Sequence, residues 1–117
     1  MGTVTFFLNK RDDLNMSPGD FCKISKALAD PQRRALLEKI ASGGEMSCGA
    51  LVGCCPVSQA TVSHHLKELV NAGLVEPRKD GQFRYYNFVP GRIAAYTEEL
   101  ARRMRVPDPD PDNNVAS

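Results

Sequence analysis

Gln59, Ser63, His64 and Lys67 are spaced so that a helix would bring them to one side, and each carries a side chain suited to nucleic acid. Gln presents a paired donor and acceptor to adenine, Ser a hydroxyl to base edges or phosphate, and Lys a charge to phosphate. The second group of reactive side chains is sulfur: Cys22, Cys48 and the vicinal pair Cys54-Cys55. They form no C-x-x-C pair, so thiol exchange and the usual zinc spacing are not indicated. Soft thiolates suit As(III), Cu(I) or Zn(II), and a thiol near a helix N-terminus can have a lowered pKa and act as an oxidation switch. The plainer reading is that Cys22 and Cys48 pack as small hydrophobes, as free cysteines commonly do. That reading suits Cys54 and Cys55 less well, because they stand in a Gly/Pro turn. His64 points outward and reads as a DNA contact. His65 falls at the edge of the apolar side and reads as a packed, hydrogen-bonded residue. Helix neighbours point about 100° apart, so the two histidines do not make a metal pair.

The element that must position the first group is framed by Ser58, a good N-cap, and Gly73, which supplies the left-handed residue that ends many helices. Val62, Leu66, Leu69 and Val70 recur on one face, and Val57 before the cap can staple onto Val62. The outward face carries Ala60, Ser63, His64, Lys67 and Asn71 with Gln59 beside them, and no acid near its start. The bare N–H groups of the first turn favour phosphate. The candidate DNA contacts on this helix are therefore Ser58, Gln59, Ala60, Thr61, Ser63, His64 and Lys67. An ordinary amphipathic surface helix would share much of this pattern.

Around it the chain reads as mainly helical with one hairpin. Residues 1–19 mix a short β-like run with charged residues and end in Pro18-Gly19, an arm expected to stand outside the domain. Asp20 is expected to cap a helix through about Ala29, with Phe21, Ile24 and Leu28 on one face. Asp30-Pro31 then ends that helix and opens the next, roughly 31–42, which buries Leu36, Leu37 and Ile40 and stops at Gly43-Gly44. Ser47 caps a short third helix, and Gly53-Cys54-Cys55-Pro56 turns into the long one, giving helix-turn-helix order. After Gly73 the pattern alternates, with Asp80-Gly81 between two runs as a strong hairpin signal. This ribbon carries Arg78, Lys79 and Arg84 near its tip. Pro90 opens a last helix to about Arg105, with Ile93, Tyr96, Thr97, Leu100 and Met104 along one stripe. Residues 106–117, rich in Pro and Asp, are expected to be a disordered acidic tail.

With 117 residues the chain suits one domain spanning 20–105 and a single modest core. No apolar run approaches the roughly 18 residues that span a bilayer, so no membrane contact and a cytoplasmic location are expected. The net charge of +1 conceals an asymmetry: the last twelve residues hold three acids and no base, leaving 15 basic against 11 acidic residues elsewhere. A moderately basic body with an acidic tail is compatible with a nucleic-acid partner. No His-carboxylate pairing with a nucleophile and no Gly-rich phosphate loop is present, so an enzyme is not expected.

In this order of elements the sequence resembles the ArsR/SmtB family of small winged-helix transcriptional repressors. Three places carry the resemblance: Leu28-Ala29-Asp30-Pro31-Gln32-Arg33-Arg34, Ser58 through Leu66 with Ala72-Gly73-Leu74-Val75, and the hairpin's Tyr85-Tyr86. It implies a homodimer joined by first and last helices, with recognition helices in successive major grooves of a double-stranded DNA operator and wings along the backbone. The last-helix stripe reads independently as a dimer seam, although packing onto its own domain would use the same residues.

The resemblance also implies release of DNA by a ligand, and here the sequence departs from the family. The C-x-C of its arsenic and cadmium sensors falls in register with Ser47 and Gly49, and the last helix offers Glu98 and Glu99 but no His for a zinc or nickel site. What remains is a thiol-based expectation. Cys54 and Cys55, with Cys22 and Cys48, would take As(III) or another thiophilic metal ion, or respond to an oxidant. No cofactor is otherwise implied. The competing reading is a winged-helix protein-interaction module without specific DNA binding.

Overall fold

Ser17, not Asp20, caps the first helix in the computed structural model, which describes residues 16–107. The Ser17 hydroxyl accepts from the Asp20 backbone N–H at 3.0 Å, and Pro18 takes the first helical position, where its missing N–H costs nothing. Pro18-Gly19 thus starts α1 (Pro18–Ala29) rather than breaking the chain before it, and Asp20 falls in the first turn, where a carboxylate complements the helix dipole. Met16 is buried in the core, so the folded unit begins earlier than expected at the arm's end. The rest of the expected arm, 1–15, and the expected tail from 108 onward lie outside the described residues.

Asp30 ends α1 and caps α2 (Pro31–Gly43), its carboxylate accepting from the N–H groups of Gln32 and Arg33 at 2.9 and 3.1 Å. These bonds, that from Arg33 foremost, hold the Asp30 carboxyl below its ordinary pKa. Gly44, at φ 74°, closes the helix. A two-residue strand follows, β1 (Met46–Ser47), then α3 (Cys48–Gly53), capped by Ser47 as the sequence suggests. Recognition-helix candidate α4 (Gln59–Asn71) begins at the Ser58 cap and ends at Gly73. The Leu74 N–H reaches the Leu69 carbonyl at 3.0 Å around Gly73, the left-handed closure the glycine permits.

Strands β2 (Val75–Asp80) and β3 (Phe83–Phe88) pair antiparallel from Val75 opposite Phe88 to Asp80 opposite Phe83. The two-residue loop is therefore Gly81-Gln82, one position beyond the Asp80-Gly81 pair expected, with positive φ at Gly81 alone of the two. β1 adds to the far edge of β3, pairing Met46 with Tyr86 and Ser47 with Tyr85, so the sheet order is β1-β3-β2. This third strand was absent from the sequence expectation. The last helix, α5 (Pro90–Arg103), packs against α1: Tyr96 stacks on Phe21 with centroids 5.0 Å apart, and its hydroxyl lies 2.8 Å from Ser25 Oγ.

One core serves all of these elements. Ile24, Leu36, Ile40, Leu51, Val62, Leu66, Leu69, Leu74 and Val75 are almost wholly buried. By contrast β2 beyond Val75 and the tip of β3 are exposed, so the hairpin projects as a wing.

Candidate nucleic-acid interface

Burial sorts α4 as its periodicity predicts. Val62, Leu66, Leu69 and His65 face the core, while Gln59, Ala60, Ser63, His64, Lys67 and Asn71 are exposed. Thr61 is half-buried, and its Oγ1 lies 3.0 Å from Ser58 Oγ. The hydroxyls of Ser58 and Thr61 are thereby committed to the helix start. Their remaining contribution to an anion is the position of the N-terminal N–H groups.

The wing is aimed at the same side. Ser63, Lys67 and Asn71 of α4 share one concave surface with Pro77, Arg84 and Tyr86 of the sheet, a hollow of about 510 Å³. A second hollow, about 500 Å³, is lined by Gln59, by Ser47 and Gly49, and by Gln82, Phe83 and Arg84 at the wing tip. Arg84 and Cys48 border both. Lys67, Lys79 and Arg84 are exposed and make no ion pair among the described residues.

Arg78 differs from these three. Its guanidinium donates to both oxygens of Glu45, Nε to Oε2 at 2.7 Å and Nη2 to Oε1 at 2.8 Å, and lies 4.6 Å above the Tyr85 ring. Asn87 adds a bond to the same carboxylate at 2.8 Å. The Arg78 bonds foremost, with Asn87, bring the Glu45 carboxyl down to about 2, and Glu45 in turn raises Arg78. Expected as a free phosphate contact, Arg78 instead ties the wing to the loop before β1. Glu45 carried no signal in the sequence, because its partner is 33 residues away.

The cysteines fall in three separate places. Cys22 is exposed on α1, Cys48 opens α3 between helix and wing, and Cys54-Cys55 form the turn into α4. Among the described residues no three of His, Cys, Asp and Glu come together as a metal site. The four-thiol set is thus not assembled within one chain: Cys48 and Cys54 stand at opposite ends of α3, six residues or about 9 Å of helix apart. Cys54 Sγ donates to the Leu51 carbonyl at 3.5 Å. Burial, with the neighbouring Cys54, pushes the Cys55 thiol above its ordinary pKa, opposite to the lowering expected near a helix N-terminus. His65 is packed as expected, with Nε2 3.5 Å from Gln32 Oε1, but its Nδ1 is buried without a partner.

A short helix, a tight turn, an exposed polar helix and a projecting cationic hairpin define a winged helix-turn-helix of the kind that binds DNA. Residues 28–78 match the family model for a helix-turn-helix domain. The chain is 43% identical over 77 residues to the HTH-type transcriptional regulator Rv2034 of Mycobacterium tuberculosis, covering 66% of this chain and 71% of that protein. It is 35% identical over 96 residues to the cadmium resistance transcriptional regulatory protein CadC homolog of Staphylococcus aureus, covering 82% and 79%. The fold superposes on an ArsR-like transcriptional regulator from Rhodococcus sp. RHA1 with a TM-score of 0.68 at 25% identity, over 74% of this chain and 81% of that one. The chain belongs to the ArsR family of winged helix-turn-helix proteins, and its activity is DNA-binding transcriptional regulation of that type.

Proposed function

We propose that the protein represses transcription as a homodimer, with α4 of each subunit in the major groove of a pseudo-palindromic operator and the wing lying along the phosphate backbone. The observation that carries this reading is the single concave surface on which Ser63, Lys67 and Asn71 of α4 meet Arg84 of the wing. Gln59, Ser63 and His64 are assigned to base edges, with Ala60 leaving room for close approach. Lys67, Lys79 and Arg84 are assigned to phosphate, and Arg78 to holding the wing. Ser58 and Thr61 fix the helix N-terminus against the backbone.

For the dimer, α5 supports a second seam besides its own packing. Ala95 and Glu99 are buried within the chain, whereas Ile93, Tyr96 and Leu100 are half-exposed and Met104 is 66% exposed. The folded unit is taken as residues 16–107, with its work in the cytoplasm where the operator lies.

Fluorescence anisotropy on the DNA upstream of the protein's own gene, across a salt series and with arsenite or peroxide added, tests the reading. Tight, salt-dependent and sequence-selective binding is expected. Gln59→Ala should cost about 1–3 kcal/mol on the operator and little on random DNA. Weak binding erased by salt on every sequence would instead favour a protein-interaction module.

A further inference from the structure

On the side of α4 turned away from its exposed polar face lies a cavity of about 270 Å³, between α2 and the turn that leads into α4. Leu36 of α2, Val62 of α4 and Pro56-Val57 make its wall largely apolar, and the Cys54 and Cys55 side chains close one end. His65 completes the wall beside Gln32. The imidazole is 6% exposed, and its Nε2 faces the Gln32 amide oxygen. With the ring proton on Nε2, Nδ1 is an acceptor, and it is the buried atom that finds no donor. A buried acceptor without a partner is costly, and a donor supplied from the cavity would remove that cost. The thiols are polarisable groups that pack well on aromatic edges, and burial keeps Cys55 in its neutral form.

We propose that this cavity is an effector site for a small aromatic molecule bearing one hydrogen-bond donor, of the phenol or indole class. The donor meets His65 Nδ1, and the ring lies between Leu36, Val62 and the two thiols. By scaling from an apolar cavity of about 150 Å³ that holds benzene, the space suits a body of about ten non-hydrogen atoms. An occupant bears directly on Cys54-Cys55-Pro56-Val57, the segment that delivers Ser58 to the start of α4. Filling the cavity therefore changes how α4 is presented, and this half of the inference rests on the placement of α4 in the major groove. By linkage, whatever factor the ligand takes from operator affinity the operator takes from ligand affinity.

The test uses indole, 2-naphthol and naphthalene as probes, titrated into the full chain and followed by backbone-amide NMR. Indole and 2-naphthol are expected to give saturable shifts at Gln32, Cys54, Cys55 and His65. Naphthalene, which has the shape without the donor, is expected to bind about fivefold more weakly than 2-naphthol, the worth of one hydrogen bond. His65→Phe should erase that preference. Ala35→Leu, at an exposed position on the cavity rim where folding is safe, should weaken all three probes. No saturable shift at millimolar probe overturns the site, as does a donor preference that survives in His65→Phe. Shifts evoked by arsenite but by none of the aromatic probes also overturn it and mark a thiol-ligand site. In parallel, 2-naphthol should weaken operator binding several-fold. Binding in the cavity with operator affinity unchanged overturns the effector role. Failure of the free protein to bind any operator would instead sink the reading of α4.

Discussion

Glu45 and Arg78 face each other through two parallel hydrogen bonds of 2.7 and 2.8 Å, across 33 residues of chain. The fork-to-fork geometry neutralises Arg78 at the base of the wing and leaves Lys79 and Arg84 as the wing cations without an ion pair among the described residues. Cations of similar appearance in the sequence therefore differ in what they offer to DNA.

Salt dependence separates them. Each phosphate neutralised by a protein cation contributes about 0.9 to the slope of log affinity against log salt. Arg84→Ala is expected to lower the slope by about 1 per subunit, uniformly on all sequences. Arg78→Ala should leave the slope nearly unchanged and weaken binding through a displaced wing. Glu45→Gln frees the Arg78 charge, so its slope should steepen by about 1 per subunit. A slope lowered equally by Arg78→Ala and Arg84→Ala would return Arg78 to the phosphate contacts.

The same pair has a defined pH window. The Glu45 carboxyl is depressed from 4.5 to about 2 in the folded protein, so its contribution is full above 4.5. It declines as pH falls below that value and is gone once pH passes below about 2. The wing tie should hold unchanged from neutral pH to about 5. NMR titration of the Glu45 side-chain carboxyl should give a midpoint near 2 in the wild type and close to its ordinary value in Arg78→Ala. A wild-type midpoint near 4.5 would show the bridge open in solution.

Arg105 is the one described non-glycine residue at positive φ, 57°. It sits just past the α5 cap, where the Val106 N–H turns back to the Ala101 carbonyl at 2.9 Å. This is the closure glycine performs after α4, made here by a residue whose Cβ is crowded in that conformation. Arg105→Gly is expected to stabilise the fold by about 1 kcal/mol. Urea unfolding checks it: an unchanged or lower midpoint at constant slope would mean that the Arg105 side chain contributes as much as the backbone loses.

What could be read from sequence divides by the range of the interaction. Ser47, Ser58 and Asp30 cap through bonds spanning two or three residues, and Gly44 and Gly73 end helices locally, so short windows reveal them. Ser17 was overlooked because Asp20 is as good a cap by residue type, and only the backbone shows which of the two precedes the first turn. β1 is two residues long and exists through its pairing with Tyr85 and Tyr86, so no alternation announces it. The exposed face of α4 was legible from periodicity. The commitment of Arg78 to Glu45, the separation of Cys48 from Cys54-Cys55, and the cavity beside His65 depend on contacts between distant segments.

Gly73 joins both kinds of constraint at one position. Its φ of 78° closes α4, and a Cβ there would stand 2.9 Å from Nε of Arg92, a distance at which one of the two must move. Arg92 at the start of α5 reaches Asp20 at the start of α1, 3.3 Å away, and lowers the Asp20 pKa after the larger effect of the Ser17 hydroxyl. Gly73→Ala therefore carries a backbone cost of about 1–2 kcal/mol and also displaces the tie between α1 and α5. A fall in Tm of about 4–8 °C per kcal/mol is expected for a domain of this size. In an Arg92→Ala background the side-chain conflict is gone and only the backbone cost should remain, so the double-mutant cycle gives the coupling directly. Equal costs in the two backgrounds would show that Arg92 yields freely, leaving the left-handed backbone as the whole requirement for glycine.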